Sequence, residues 1–122
     1  MNEKTILIVD DEQWVRQILE KKFKREGFRT LVAANGQEAI ELARKEKPDC
    51  ILLDIKMPEV DGLDACKVIK TDADTRHIPI IILSAKAELF DKRAGMAAGA
   101  DTYLTKPLKF NVILEHVKKV LS

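Results

Sequence analysis

The chain is poor in the features that would mark a staple, a linker or a membrane span. Its two cysteines, Cys50 and Cys66, form neither a CxxC nor any metal-ligand spacing. They are expected to be small buried hydrophobes in a reducing compartment. No Gly/Ser-rich or Pro-rich stretch, repeat or low-complexity segment interrupts the 122 residues, so a single domain is expected. The longest apolar runs are far too short to cross a bilayer, and the N-terminus has no charged-then-apolar signal pattern; a soluble, cytoplasmic protein is expected. Net charge is only +1, with Lys and Arg interspersed among acids, so neither direct nucleic-acid binding nor an anionic membrane is indicated. Only two histidines occur, and neither His77 nor His116 falls beside the acidic positions discussed below, so both read as surface or helix residues.

What the chain does have is regular alternation. Five short apolar runs, Thr5–Val9, Arg29–Ala33, Asp49–Leu53, Pro79–Leu83 and Asp101–Leu104, are rich in β-branched residues. Four are nearly continuously apolar, the pattern of strands buried on both faces. Helical patterns separate them, at roughly Glu12–Glu26, from Asn35 to before Pro48, Leu63–Lys70, Ala87–Ala97 and Lys109–Leu121. Asn35 with Glu38 reads as a capping box, Asp61 as a cap of the third helix, and Gly27 as a left-handed residue closing the first. Val15, Ile18, Leu19 and Phe23 fall at helical spacing in the first helix, and Phe110, Ile113, Leu114, Val117, Val120 and Leu121 mark the inner face of the last. The expected fold is α/β, flavodoxin-like (βα)5, a three-layer sandwich around a parallel five-stranded sheet of order 2-1-3-4-5.

Four of the five apolar runs lead into a polar group. Asp10 and Asp11 follow the first, Asp54 the third, Ser84 the fourth and Lys106-Pro107 the fifth. In an open parallel sheet, ligands bind outside the carboxyl ends of the strands, at the switch point of the strand order. Converging carboxylates repel one another unless a cation compensates them. An oxygen-only ligand set suits Mg²⁺ or Mn²⁺, which fill their remaining positions with water and phosphate oxygens. A carboxylate oxygen left over, assigned to Asp54, can attack a phosphoryl group whose charge the cation, Lys106 and Ser84 would neutralise. Read alone, Asp10 and Asp11 could instead cap the first helix, Ser84 could be a turn hydroxyl and Tyr103 a packing residue.

Taken together, Ile8-Val9-Asp10-Asp11, Leu53-Asp54-Ile55-Lys56-Met57-Pro58-Glu59-Val60-Asp61-Gly62, Leu83-Ser84-Ala85, Gly99-Ala100-Asp101 and Tyr103-Leu104-Thr105-Lys106-Pro107 resemble the response-regulator receiver domain, the CheY-like family, along the whole chain. The resemblance implies that Asp54 is the phosphoacceptor, Asp11 a direct metal ligand and Asp10 a ligand through water. It also implies a main-chain carbonyl from Lys56 to the metal, a switch hydroxyl at Ser84, the phosphoryl-binding lysine at Lys106, a cis peptide before Pro107 and an aromatic switch at Tyr103. Phosphorylation would then draw Ser84 inward, admit Tyr103 to the space vacated and alter the α4-β5-α5 surface. Lys56 and Lys86, two residues beyond Asp54 and Ser84, border the site and would tune phosphate lifetime; solvated loop lysines are the alternative. Trp14 and Ile18 are assigned to docking of a sensor histidine kinase or histidine phosphotransfer protein, with partial core burial of Trp14 as the alternative.

Lys56 and the N-terminal half are similar to stand-alone phosphorelay regulators of the sporulation type. The downstream target or output domain is not named by the chain, and either a monomer or a phosphorylation-linked dimer is consistent with it. Two other functions use part of the same pattern. An aspartate-nucleophile phosphatase of the haloacid dehalogenase type would need a second acid two residues after the nucleophile, where Lys56 stands. A phosphorylation-independent interaction module would not need the intact site. The expectation is a regulator that catalyses only its own phosphorylation and dephosphorylation.

Overall fold

A computed structural model describes residues 3–55, 60–84 and 89–122. The elements alternate as β1 (Thr5–Val9), α1 (Gln13–Arg25), β2 (Arg29–Ala33), α2 (Gly36–Glu46), β3 (Cys50–Ile55), α3 (Val60–Thr71), β4 (Ile80–Ser84), α4 (Leu89–Ala97), β5 (Thr102–Thr105) and α5 (Phe110–Leu121). The five strands form one parallel sheet in the order β2-β1-β3-β4-β5, the order expected from the alternation together with the placing of the acids at the switch point.

The period-2 alternation of a strand sorts the core into two halves. Leu7, Val9, Ile51, Leu53, Ile80 and Ile82 face Ala39 and Ala43 of α2 and Cys66 and Ile69 of α3. Ile6, Ile8, Cys50, Leu52, Ile81 and Leu83 face Leu19 and Phe23 of α1 and Ile113, Leu114 and Val117 of α5. Buried side chains on both faces explain why β1, β3 and β4 read as unbroken apolar runs. Phe23 is fully buried and meets Phe28 and Phe110 edge-on, with ring centroids 5.4 and 4.9 Å apart.

Local chemistry sets the joints. Gly27 takes φ +90° after α1, as its position predicts, and Gly99 takes φ +101° after α4. Asn35 Oδ1 accepts from the Glu38 amide, while Glu38 Oε1 accepts from the Ala34 amide, one residue before the position a strict capping box requires. Asp61 lies inside α3 rather than capping it, because that helix starts at Val60 and runs through Gly62. Residues 87 and 88, expected in the fourth helix, lie outside the described residues.

The strands also run further than their apolar stretches. β3 continues through Asp54 to Ile55, and β4 includes Ser84, paired with Ile55 on one side and Thr105 on the other. Asp54 and Ser84 therefore sit in the sheet, not just beyond it. A backbone ladder is indifferent to whether the side chain is polar. At the other ends, Asp49 and Asp101 were expected in strands but precede them. The Asp49 carboxylate accepts the Thr5 amide, and that of Asp101 accepts the Ile80 amide and the Lys70 ammonium.

Candidate phosphoacceptor site

The site forms where β1 and β3 end side by side. After Val9 the chain leaves the sheet at Asp10, whose amide still donates to the Ala33 carbonyl at 3.1 Å. The Asp10 side chain is buried; its Oδ1 accepts the Glu12 amide at 2.8 Å. Its main-chain carbonyl accepts from the Arg16 guanidinium of α1. Asp11 is exposed beside it. One carboxylate oxygen each from Asp10, Asp11 and Glu12 lie within 4.8 Å of one another.

Asp54 approaches from β3. Asp10, Asp11 and Asp54 line one cleft of about 220 Å³ together with Asn35 and Gly36 at the start of α2. Asp54 Oδ2 accepts from Lys106 Nζ at 2.5 Å, and its Oδ1 is buried with no hydrogen-bond donor among the described residues. Burial pushes the Asp54 carboxyl up to about 7; the neighbouring Asp10 carboxyl pushes in the same direction, while Lys106 opposes both. A buried carboxylate oxygen without a donor, next to further carboxylates, fits a hard divalent cation held by oxygen ligands. The structure thus brings Asp10, Asp11, Asp54 and Lys106 together. Lys56 and Lys86 lie outside the described residues.

Lys106 is aimed by its backbone. Its amide donates to the Ser84 carbonyl at 2.7 Å, which continues the β4–β5 ladder to the site, and the Lys106–Pro107 bond is cis. Ser84 is buried between them. Tyr103, two residues before Thr105, is partly buried against the α2/α3 half of the core. His77 is exposed and His116 half-buried on α5, both distant in sequence and element from the acids.

Beside the cleft lies a groove of about 460 Å³, apolar apart from Asp54 and Lys106, walled by Trp14, Ile18, Pro107 and Leu108. Trp14 is 60% exposed and Ile18 46% exposed, and neither packs into the core, which leaves both on the surface where docking needs them and goes against partial core burial of Trp14. Leu19 and Phe23 fill the inner face of α1, and the two flanking residues point out along the groove. The Trp14 indole donates to Glu12 Oε2 at 2.8 Å. Glu12 is the residue the sequence reasoning missed; it was read only as the first residue of α1, although it is the third consecutive acid after β1.

The sequence model of the response regulator receiver domain matches residues 6–118. The chain is 40% identical over 121 residues to the alkaline phosphatase synthesis transcriptional regulatory protein PhoP of Bacillus subtilis, covering 99% of this chain and 49% of PhoP. It therefore spans about half the length of the curated relatives it matches. Among solved structures, the chemotaxis protein CheY4 of Vibrio cholerae superposes with a TM-score of 0.90 at 29% identity, covering 98% of this chain and 100% of that one. The signal receiver domain of a signal transduction histidine kinase from Syntrophus aciditrophicus gives 0.87 at 36% identity, covering 97% and 89%.

Proposed function

This chain belongs to the response regulator receiver domain family of two-component signalling, and from that premise we propose that Asp54 is its phosphoacceptor, charged by a phosphohistidine donor. The observation that carries this is the Asp54 carboxylate itself. It is buried on the middle strand, held at one oxygen by Lys106 from across β4, and supplied with no donor among the described residues at the other.

In the reaction, an Asp54 carboxylate oxygen attacks phosphorus, the phosphorus–nitrogen bond of the donor breaks, and the imidazole leaves with the electron pair. Lys106 neutralises charge on a non-bridging oxygen, and the Ser84 hydroxyl receives another. Hydrolysis of the aspartyl phosphate restores the carboxylate, so catalysis is directed at the chain itself. Asp10, Asp11 and Asp54, with the Lys56 carbonyl, are the residues that would hold Mg²⁺ or Mn²⁺. When bound, the cation supplies charge neutralisation at the phosphoryl oxygens. Lys56 and Lys86 would set the phosphate lifetime.

The readout is a two-state shift in which Ser84 and Tyr103 move together and the α4-β5-α5 surface changes its partner, an output domain or a separate target. The donor, a sensor histidine kinase or histidine phosphotransfer protein of the cytoplasm, would dock over the groove at Trp14 and Ile18. Aromatic anchors at the edge of an apolar groove suit such a contact.

The test is intact mass after incubation with acetyl phosphate and Mg²⁺. A labile gain of one phosphoryl group is expected in the wild type and not in Asp54→Asn. A gain that persists in Asp54→Asn would move the acceptor elsewhere.

A further inference from the structure

We propose that Gly95 of α4 is the positioning residue for the Tyr103 ring: the side chain it lacks is the seat the ring occupies. This rests on the reading of Tyr103 as the switch aromatic. A Cβ built on Gly95 would lie 2.7 Å from Tyr103 Cδ2, 3.0 Å from Cε2 and 3.2 Å from Ile82 Cδ1. Real Cβ atoms do not approach that closely, so one neighbour has to move. Ile82 is fully buried in β4 and has nowhere to go. The ring, half-buried and hinged at its own Cβ on an edge strand, is the group that yields.

Glycine is among the poorest residues for a helix interior. Gly95 lies within α4 and, unlike Gly27 and Gly99, carries no positive φ. Backbone freedom therefore does not explain it, and the remaining explanation is space. The consequence is control at a distance from the chemistry. Gly95 touches neither Asp54 nor the cation ligands, yet it sets where the aromatic rests and how far it can travel. Gly95→Ala displaces the ring from α4 without altering the acceptor.

The chain has one tyrosine, so 3-fluorotyrosine gives a single ¹⁹F resonance that reports Tyr103 alone. The expected result for Gly95→Ala is a shifted resonance with loss of protection from a soluble paramagnetic quencher, while labelling of Asp54 by acetyl phosphate is retained. An unchanged resonance and unchanged protection overturn the proposal. Beryllofluoride with Mg²⁺ tests the underlying reading separately: a wild-type resonance that ignores it removes the switch role from Tyr103 and leaves the seat standing or falling on the first comparison. Thermal melting gives a second arm. In a Tyr103→Ala background the two ring contacts are gone and only the 3.2 Å one to Ile82 Cδ1 remains, so Gly95→Ala should lower Tm less there than in the wild type, and the double variant should fold even if Gly95→Ala alone does not. The same Tm change in both backgrounds, or no rescue, overturns the proposal.

Discussion

Lys106 reaches Asp54 across a whole strand: the two residues belong to the ends of β5 and β3, β4 lies between them, and the ammonium still meets Asp54 Oδ2. In the proposed function the lysine would share this carboxylate with a cation at the other oxygen, Oδ1. Removing it should separate two effects. Lys106→Ala should bind Mg²⁺ more tightly, because a resident positive charge no longer competes, yet accept phosphate from acetyl phosphate about 10²-fold more slowly, because an oxyanion partner is lost. Calorimetric Mg²⁺ titration and time-resolved mass measurement test the two arms.

The raised Asp54 carboxyl gives stability a pH dependence of definite sign. Its value in the fold lies near 7 against an ordinary 3.8, so between those limits the folded chain binds more protons than the unfolded one. The contribution of this group to the stability of the metal-free protein therefore falls as pH rises through that window. Asp54→Asn should abolish this contribution and stabilise the apo protein at pH 8 by on the order of 2 kcal/mol. Mg²⁺, which competes with the proton, should raise Tm more at pH 8 than at pH 5. Denaturant melts across pH, with and without Mg²⁺, measure all three, and an apo protein that loses no stability relative to Asp54→Asn between pH 5 and pH 8 would reverse the assignment of this group.

Trp14 offers exposed surface and no core, so Trp14→Ala should change stability by no more than about 0.5 kcal/mol. It should slow transfer from a cognate phosphohistidine protein and leave acetyl phosphate labelling alone. Equal slowing with both donors would take Trp14 out of docking and put it in the chemistry.

Phe23 is the opposite case. It is fully buried between Phe28 and Phe110, where α1, α5 and the sheet meet, and Phe23→Ala should cost about 3–5 kcal/mol in a denaturant melt.

Neither cysteine should react in the native state. Burial pushes the Cys50 thiol up to about 12 and the Cys66 thiol up to about 11, so thiolate is scarce at pH 8. Ellman's reagent should find no thiol until the chain unfolds.

Much of this was legible in the residues, and the failures have physical causes. Strand order and the meeting of Asp10, Asp11 and Asp54 followed from alternation and from where the polar groups fall. The bounds of β3, β4 and β5 slipped because hydropathy sees side chains while a ladder is made of backbone. Hydropathy counted Asp49 and Asp101 in and left Asp54 and Ser84 out, whereas the backbone pairs the last two and uses the first two as lateral acceptors. Ile18 fits the helical period of the core but sits one step around α1 from Leu19, on the rim. The Glu12–Trp14 bond and the fit of Gly95 under Tyr103 are meetings of side chains, which spacing along a chain does not encode.

The sheet order has a kinetic consequence. β3 is bonded on both sides, whereas β5 has a neighbour on one side only. Amide exchange should therefore be slowest around Asp54 and faster around Tyr103, because an interior strand opens only when much of the domain opens and an edge strand can open locally. In the proposed function the acceptor carboxylate would sit on the strand that holds its shape longest, and the switch aromatic on one that can rearrange without unfolding the rest. A mutation that loosens β5 would thus be expected to leave the Asp54 strand intact while disturbing both the Tyr103 readout and the aim of Lys106.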